Sequence, residues 1–245
     1  MNKKGIGIIC VIIVVAVGVI AFMAVKNSKK EEIATTITTA GQSQTTQAVT
    51  QANKVTDSDV KVVKKYNFYE EDDFKLVLIL QNNGQGDAAV AVTAKIRDGA
   101  NSVIGTERET VFMDPSSKTV VSFDFDTEGT KVKDVDYKLS VAPATSVKPG
   151  LKNIMYKKNI IGNIVKLSSK NEGSFDLEGV ETNVLFYQNG ELVDIESEDM
   201  IDNDSEVFVK GTEVKQSFDT KEKFDKVKIY YSQDQDKPDS EDDDD

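Results

Sequence analysis

The chain reads as an all-β body of two tandem antiparallel β-sandwiches behind a single N-terminal transmembrane helix, and three observations predict it. An uncharged apolar run extends from Gly5 to Val25, and short apolar stretches of two-residue period begin at Phe74. Their order recurs at an offset of about 90 residues.

The apolar run comes first. Lys3 and Lys4 precede it, and Lys26, Lys29 and Lys30 follow it. About 21 residues rising 1.5 Å each match the roughly 30 Å hydrocarbon core, so residues 5–25 are expected to be an anchor and residues 1–4 a short cytoplasmic tail. Lipid attachment would need a small residue before a cysteine at the end of the run, whereas Cys10 follows Ile9 near its beginning. A cleaved signal has an apolar core of about 7 to 15 residues. Val19 and Ala21 offer a small-residue site, but the run continues through Phe22, Met23 and Val25, which favours an uncleaved anchor. The flanking lysines are nearly balanced; the very short leading tail and the acids Glu31 and Glu32 favour an extracellular body.

Composition narrows the chemistry. The 245 residues carry 30 Lys and Arg against 42 Asp and Glu, a net charge of -12, which argues against nucleic acid or an anionic lipid surface as a general partner. Histidine and tryptophan are absent, and the one cysteine, Cys10, lies inside the expected span. A Ser-His-Asp or Cys-His nucleophile, a zinc site of nitrogen and sulfur ligands, histidine-ligated haem and a disulfide framework are therefore excluded from the body. No cofactor is expected.

Residues 26–57 are rich in Thr, Gln, Ala and Ser, including Thr35, Thr36, Thr38, Thr39, Thr45 and Thr46, with almost no large apolar side chain. Such a segment buries no core and reads as a stalk, its roughly 25 residues from Ile33 to Asp57 spanning about 25 to 30 Å r.m.s., a plain spacer whose hydroxyls could carry sugars. Residues 233–245, ending in Asp242, Asp243, Asp244 and Asp245, read as an acidic disordered tail.

Between these segments lie the strands. Phe74, Leu76, Leu78 and Leu80 form one alternating series, Val90, Val92, Ala94 and Ile96 a second, Val121, Phe123 and Phe125 a third, and Tyr137, Leu139 and Val141 a fourth. Gly84, Gly86, Gly99, Gly105, Pro115 and Gly129 fall between the runs, as turn residues do. After a break at Ala142, Pro143 and Pro149 the order returns: Asn82-Asn83-Gly84 as Asn171-Glu172-Gly173, Val90 to Ile96 as Val180 to Phe186, Asp114 as Asp202, and Tyr137, Leu139 and Val141 as Val227, Ile229 and Tyr231. Two modules result, 58–145 and 146–232, each with six or seven short strands and turns every 8 to 12 residues. That pattern describes an immunoglobulin-like antiparallel sandwich held by aliphatic and Phe packing alone.

In the second module, Gly162, Asn163, Ile164 and Val165, then Asn171 and Gly173, then Val184, Phe186, Tyr187, Asn189 and Gly190 resemble the FxLYD-type domains of Gram-positive bacterial surface proteins. The first module is similar to them through Leu78, Leu80, Asn82, Asn83, Ile96, Asp98, Gly99 and Asp114. Gln188 stands where those domains carry an acid. The resemblance implies a membrane-attached surface protein and no common enzymatic activity.

Four clusters invite a site. Asp202, Asp204, Glu206 and Glu213 fall at positions 1, 3, 5 and 12 of a calcium-loop count, yet Val207 stands where that loop needs glycine. Asp124, Asp126, Glu128 and Gly129 supply the glycine but end at Val135 instead of an acid. A solvated turn is the reading preferred for both, with weak calcium binding as the alternative. Glu70, Glu71, Asp72 and Asp73 could supply an acid and a base for glycoside hydrolysis, but as a charged turn without an aromatic platform they are not expected to. Tyr66, Phe68 and Tyr69 fit core or strand-edge packing better than sugar stacking. Lys157, Lys158 and Lys166 could meet an anionic polymer, though a charged edge that discourages aggregation is preferred.

The expected function is therefore noncatalytic: a membrane-anchored surface protein presenting two modules for adhesion or protein-protein assembly. A structural spacer of the cell envelope is the alternative, and a carboxylate-based enzyme the third reading. A contiguous exposed apolar patch on one module would favour binding over spacing.

Overall fold

The computed structural model describes residues 55–200 and 207–234. The expected anchor at Gly5–Val25, residues 26–54 of the expected stalk, residues 235–245 of the expected tail, and Asp202, Asp204 and Glu206 lie outside the described residues. The expected bounds of the body are corrected at both ends: Val55, assigned to the stalk, is buried in the first core, and of the residues assigned to the tail Gln233 ends the last strand and Asp234 bridges to Val111, because each is held by strand packing. Among the described residues no helix is long and apolar enough to cross a membrane.

The body is all-β, with several antiparallel sheets. The first half contains β1 (Val60–Glu70), β2 (Asp73–Asn82), β3 (Ala88–Arg97), β4 (Val103–Met113), β5 (Lys118–Asp126) and β6 (Asp134–Pro143). They form two three-stranded sheets, ordered β1-β2-β5 and β4-β3-β6. Phe74, Leu76, Leu78 and Leu80 from β2 and Val121, Phe123 and Phe125 from β5 face Val90, Val92, Ala94 and Ile96 from β3 in one core. This is the two-residue alternation of the sequence expressed as a buried face.

A 3-10 turn at Leu151–Asn153 opens the second half. It is followed by β7 (Ile154–Ile161), β8 (Ile164–Asn171), β9 (Leu177–Glu178), β10 (Val180–Gln188), β11 (Glu191–Asp199), β12 (Val207–Phe208), β13 (Glu213–Asp219) and β14 (Lys226–Gln233). The sheets are ordered β13-β8-β7 and β11-β10-β14, with β9 and β12 as a separate short pair. Val165, Leu167 and Phe218 pack against Val184, Phe186 and Val227 between the two larger sheets. Asn189 and Gly190, both at positive φ (54° and 91°), close the β10-β11 hairpin in the two-residue turn that matches strand twist.

The repeated Asn-x-Gly triplet does the same structural work twice. Asn82 Nδ2 donates to Gly86 O (3.0 Å) and Asp114 O (3.1 Å), while its Oδ1 accepts from Gly84 N (2.8 Å). Asn171 Nδ2 donates to Phe175 O (3.1 Å) and Phe208 O (3.0 Å), and its Oδ1 accepts from Gly173 N (2.9 Å). Each amide ties the loop leaving its own strand to the segment that precedes β5 or β13, and both asparagines are fully buried. The third residue must be small: a Cβ at Gly173 would lie 2.9 Å from Asn171 Oδ1, and one at Gly84 3.1 Å from Asn82 Oδ1. Phe208 therefore takes the place that Asp114 has in the first half, where the second half carries the extra strand β12 paired with β9 before β13 begins; the expected counterpart, Asp202, lies outside the described residues.

The two halves meet through sheet faces. Val77 and Ile79 on β2 and Val120 on β5 point away from the first core and pack on Leu185, Tyr187, Leu192 and Ile195 of β10 and β11. Tyr66, Phe68 and Tyr230 close the margin of this seam. Tyr66 meets Tyr187 edge to face with ring centroids 5.9 Å apart, and Thr119 Oγ1 donates to Tyr231 O at 2.9 Å. Four three-stranded sheets thus stack in layers, and both halves belong to one compact unit.

Candidate functional site

The carboxylates of the β1-β2 turn lie at the edge of a cleft along this seam. The cleft, of about 390 Å³, is lined by Glu70, Glu71, Asp194, Glu196, Asp219 and Glu222 together with Phe68, Tyr69, Thr220 and Lys221. Sequence reasoning found Glu70 and Glu71 but missed their four acidic companions, which reach the cleft only because β11 and the segment after β13 pack beside β1. Several of these groups already have structural partners. Glu70 pairs with Lys75, whose Nζ also lies 3.3 Å from Asp124. Asp194 accepts from the Thr220 hydroxyl and from Ile195 N. Tyr69 packs edge-on against Phe74, and its hydroxyl accepts from Val132 N at 2.7 Å. The cleft thus joins acids to Phe68 and Tyr69, the latter ring held in place by Phe74 and Val132.

Burial, and then the neighbouring charges of Asp194 and Glu70, hold the Glu196 carboxyl above the usual glutamate range. Burial raises Glu181 as well, against the lowering effect of hydrogen bonds from Ser232 and Asn183. Asp87 is raised by burial and by the charge of Asp114. The opposing downward shifts fall on exposed Asp59 and Glu213, where solvent screens them. A carboxyl raised in the folded state stabilises the fold below its unfolded pKa and loses that contribution as pH rises through the folded value. The thermal midpoint is therefore expected to climb as pH falls from 7 to 5; a midpoint that drops steadily over that interval would contradict these assignments. At the alkaline end, burial pushes the Tyr231 phenol up to about 12, although Ser169 opposes this. Its contribution should disappear as pH rises from about 10 to 12.

The calcium candidates divide. Asp202, Asp204 and Glu206 lie outside the described residues, while Glu213 begins β13 and accepts the Ser168 hydroxyl at 2.7 Å. In the other cluster, Asp126 Oδ1 caps Glu128 N at 2.9 Å, and Glu128 and Gly129 take positive φ in the turn after β5. Among the described residues no group of three or more carboxylates or thiols is placed to hold a metal ion.

The lysines of the second half separate by strand alternation. Lys158 turns toward the other sheet of its own half and donates to Val227 O at 3.1 Å. Lys157 and Lys166 stand on the outer face of the β13-β8-β7 sheet, where Lys215 joins them along a shallow groove of about 440 Å³. The β7-β8 hairpin beyond them exposes Ile160, Ile161 and Ile164.

No family model matches the chain, and no curated protein matches it. Among solved structures, the chain is similar to red sea bream transglutaminase, with 11% identity and a TM-score of 0.22. That match covers 64% of this chain and 26% of the transglutaminase chain, so the chain spans about a quarter of its length.

Proposed function

We propose that the chain is a noncatalytic, membrane-anchored surface protein whose two immunoglobulin-like modules form one presenting body for adhesion or protein assembly. The sheet orders β1-β2-β5 against β4-β3-β6, with their Greek-key crossings, support the immunoglobulin-like reading and agree with what the FxLYD resemblance implies. One observation carries the binding role: the β7-β8 hairpin exposes Ile160, Ile161 and Ile164, 43%, 53% and 39% accessible, together on one module, whereas the exposed apolar residues of the first module are scattered. The face-to-face packing of the modules also weighs against a spacer, since reach comes from modules joined end to end. The acidic cleft keeps an enzyme reading in third place.

The test is protease shaving of intact cells with mass spectrometry of the released peptides. Release of peptides from Val60 to Tyr231 with the anchor retained is the expected result. Protection until lysis would place the body in the cytoplasm and sink the surface role.

A further inference from the structure

We propose that the outer face of the β13-β8-β7 sheet binds a linear phosphate polymer through Lys157, Lys166, Lys170 and Lys215. This names a partner class for the surface role proposed above and rests on that role only for where the polymer is met.

Strand pairing fixes the arrangement. Lys157 on β7 and Lys215 on β13 both lie directly opposite Ser168 on β8, and Lys166 and Lys170 flank Ser168 along its own strand. Leu167 and Ser169 between them point inward and are buried, so alternation sends Lys166, Ser168 and Lys170 outward together. Four ammonium groups therefore surround one serine, each lysine about 7 to 8 Å from its diagonal neighbours. Glu213 sits among three of them: its carboxyl is held low by the Ser168 hydroxyl, against the raising effect of burial, and then by the charges of Lys215, Lys157 and Lys170.

Such a cross is costly in the absence of a partner, because neighbouring like charges on a sheet face repel. Among the described residues only Glu213 answers the four lysines within the cross, with Glu172 at 3.5 Å from Lys170 on its rim. Edge protection accounts for lysines on the edge strands β7 and β13, but it does not explain Lys166 and Lys170 on the central strand β8. A polyanion does. Lysine offers compact point charges that suit tetrahedral phosphate from any direction, whereas planar carboxylates are matched best by arginine, which this face lacks. The outward side chains near the cross are Met155, Asn159 and Ser217, and the neighbouring ring, Tyr156, is engaged edge-on by Tyr231 at 6.2 Å between centroids.

The experiment measures affinity of the full-length protein, in neutral detergent, for labelled inorganic polyphosphate and for poly-glutamate of equal length. Polyphosphate is expected to bind more tightly, with log affinity falling against log salt at a slope of roughly -3. Lys166→Gln or Lys215→Gln should each weaken binding about 3- to 10-fold and reduce that slope by about one. Glu213→Gln should strengthen binding about threefold by removing the one carboxylate within the cross. Lys61→Gln with Lys131→Gln, in the first half, should change nothing. Equal binding of poly-glutamate, equal loss in the Lys61 and Lys131 variant, or no gain from Glu213→Gln would each overturn the proposal. Cell shaving separates the two readings: polyphosphate binding by a protected body would keep the site and sink the surface role, and a shaved body that ignores polyphosphate would do the reverse.

Discussion

Leu185→Asp is expected to split thermal unfolding into two transitions. In the wild type the seam formed by Val77, Ile79, Val120, Leu185, Tyr187, Leu192 and Ile195 couples two halves that each have their own core. Leu185 is fully buried there, away from the Val165 and Phe186 core, so an aspartate would place an unpaired charge in the seam while leaving both inner cores intact. The loss to coupling should be at least about 3 kcal/mol, the order expected for opening a Leu-sized cavity before any charge penalty. Differential scanning calorimetry should show one cooperative peak for the wild type and two for the variant. One peak displaced downward as a whole would mean that the halves depend on each other through more than this seam. Val77→Asp probes the same seam from the opposite sheet and should give the same division.

Asn171→Ala should be the most damaging small substitution in the second half, costing about 3 kcal/mol. It removes an amide that satisfies Phe175 O, Phe208 O and Gly173 N inside a closed environment, and alanine leaves those groups buried without their partner. Asn171→Asp discriminates the mechanism: the carboxylate can still accept from Gly173 N, but when ionised it has no hydrogen to donate to the two carbonyls. Chemical denaturation should therefore find the aspartate variant destabilised at neutral pH and partly restored as the carboxyl protonates. Asn82→Ala should give a comparable loss in the first half, since Asn82 makes the equivalent three bonds. A loss below about 1 kcal/mol at both positions would show that water replaces the amide and that the lock is incidental.

The strand series at Phe74, Val90 and Val121 was legible because a half-buried strand writes its burial into alternate residues; in the fourth series Leu139 and Val141 turn inward while Tyr137 is exposed. The seam was less legible, although one trace existed. Leu76 to Leu80 is an unbroken apolar run, and such a run marks a strand covered on both faces, as Val77 and Ile79 prove to be. The repeat was visible in Asn82-Asn83-Gly84 and Asn171-Glu172-Gly173, but its spacing drifts. Val141 pairs with Val90 and Gln233 pairs with Val180, so Gln233 takes the position assigned to Tyr231. Turn lengths can change without disturbing strand faces, and a fixed offset therefore misplaces the later elements.

The lysine cross shows why site geometry resisted sequence reading. Lys157, Lys158 and Lys166 were grouped by their nearness in the chain, but strand alternation sends Lys158 inward to Val227 O and pairing brings Lys215 in from almost 50 positions away. The acidic cleft has the same origin, with Glu70 and Glu196 joined only by the meeting of two sheets.

By itself, the sequence determined the all-β class, the inward faces of the main strands, the Asn-x-Gly turns and the absence of imidazole and thiol chemistry from the body. These follow from local periodicity, turn stereochemistry and composition, which need no partner strand to be read. The tertiary structure alone decided that the halves fuse through their sheet faces, that acids line the seam and that four lysines surround Ser168. Those features depend on which strands become neighbours, and hydrogen-bond pairing brings together residues whose separation along the chain carries no record of it.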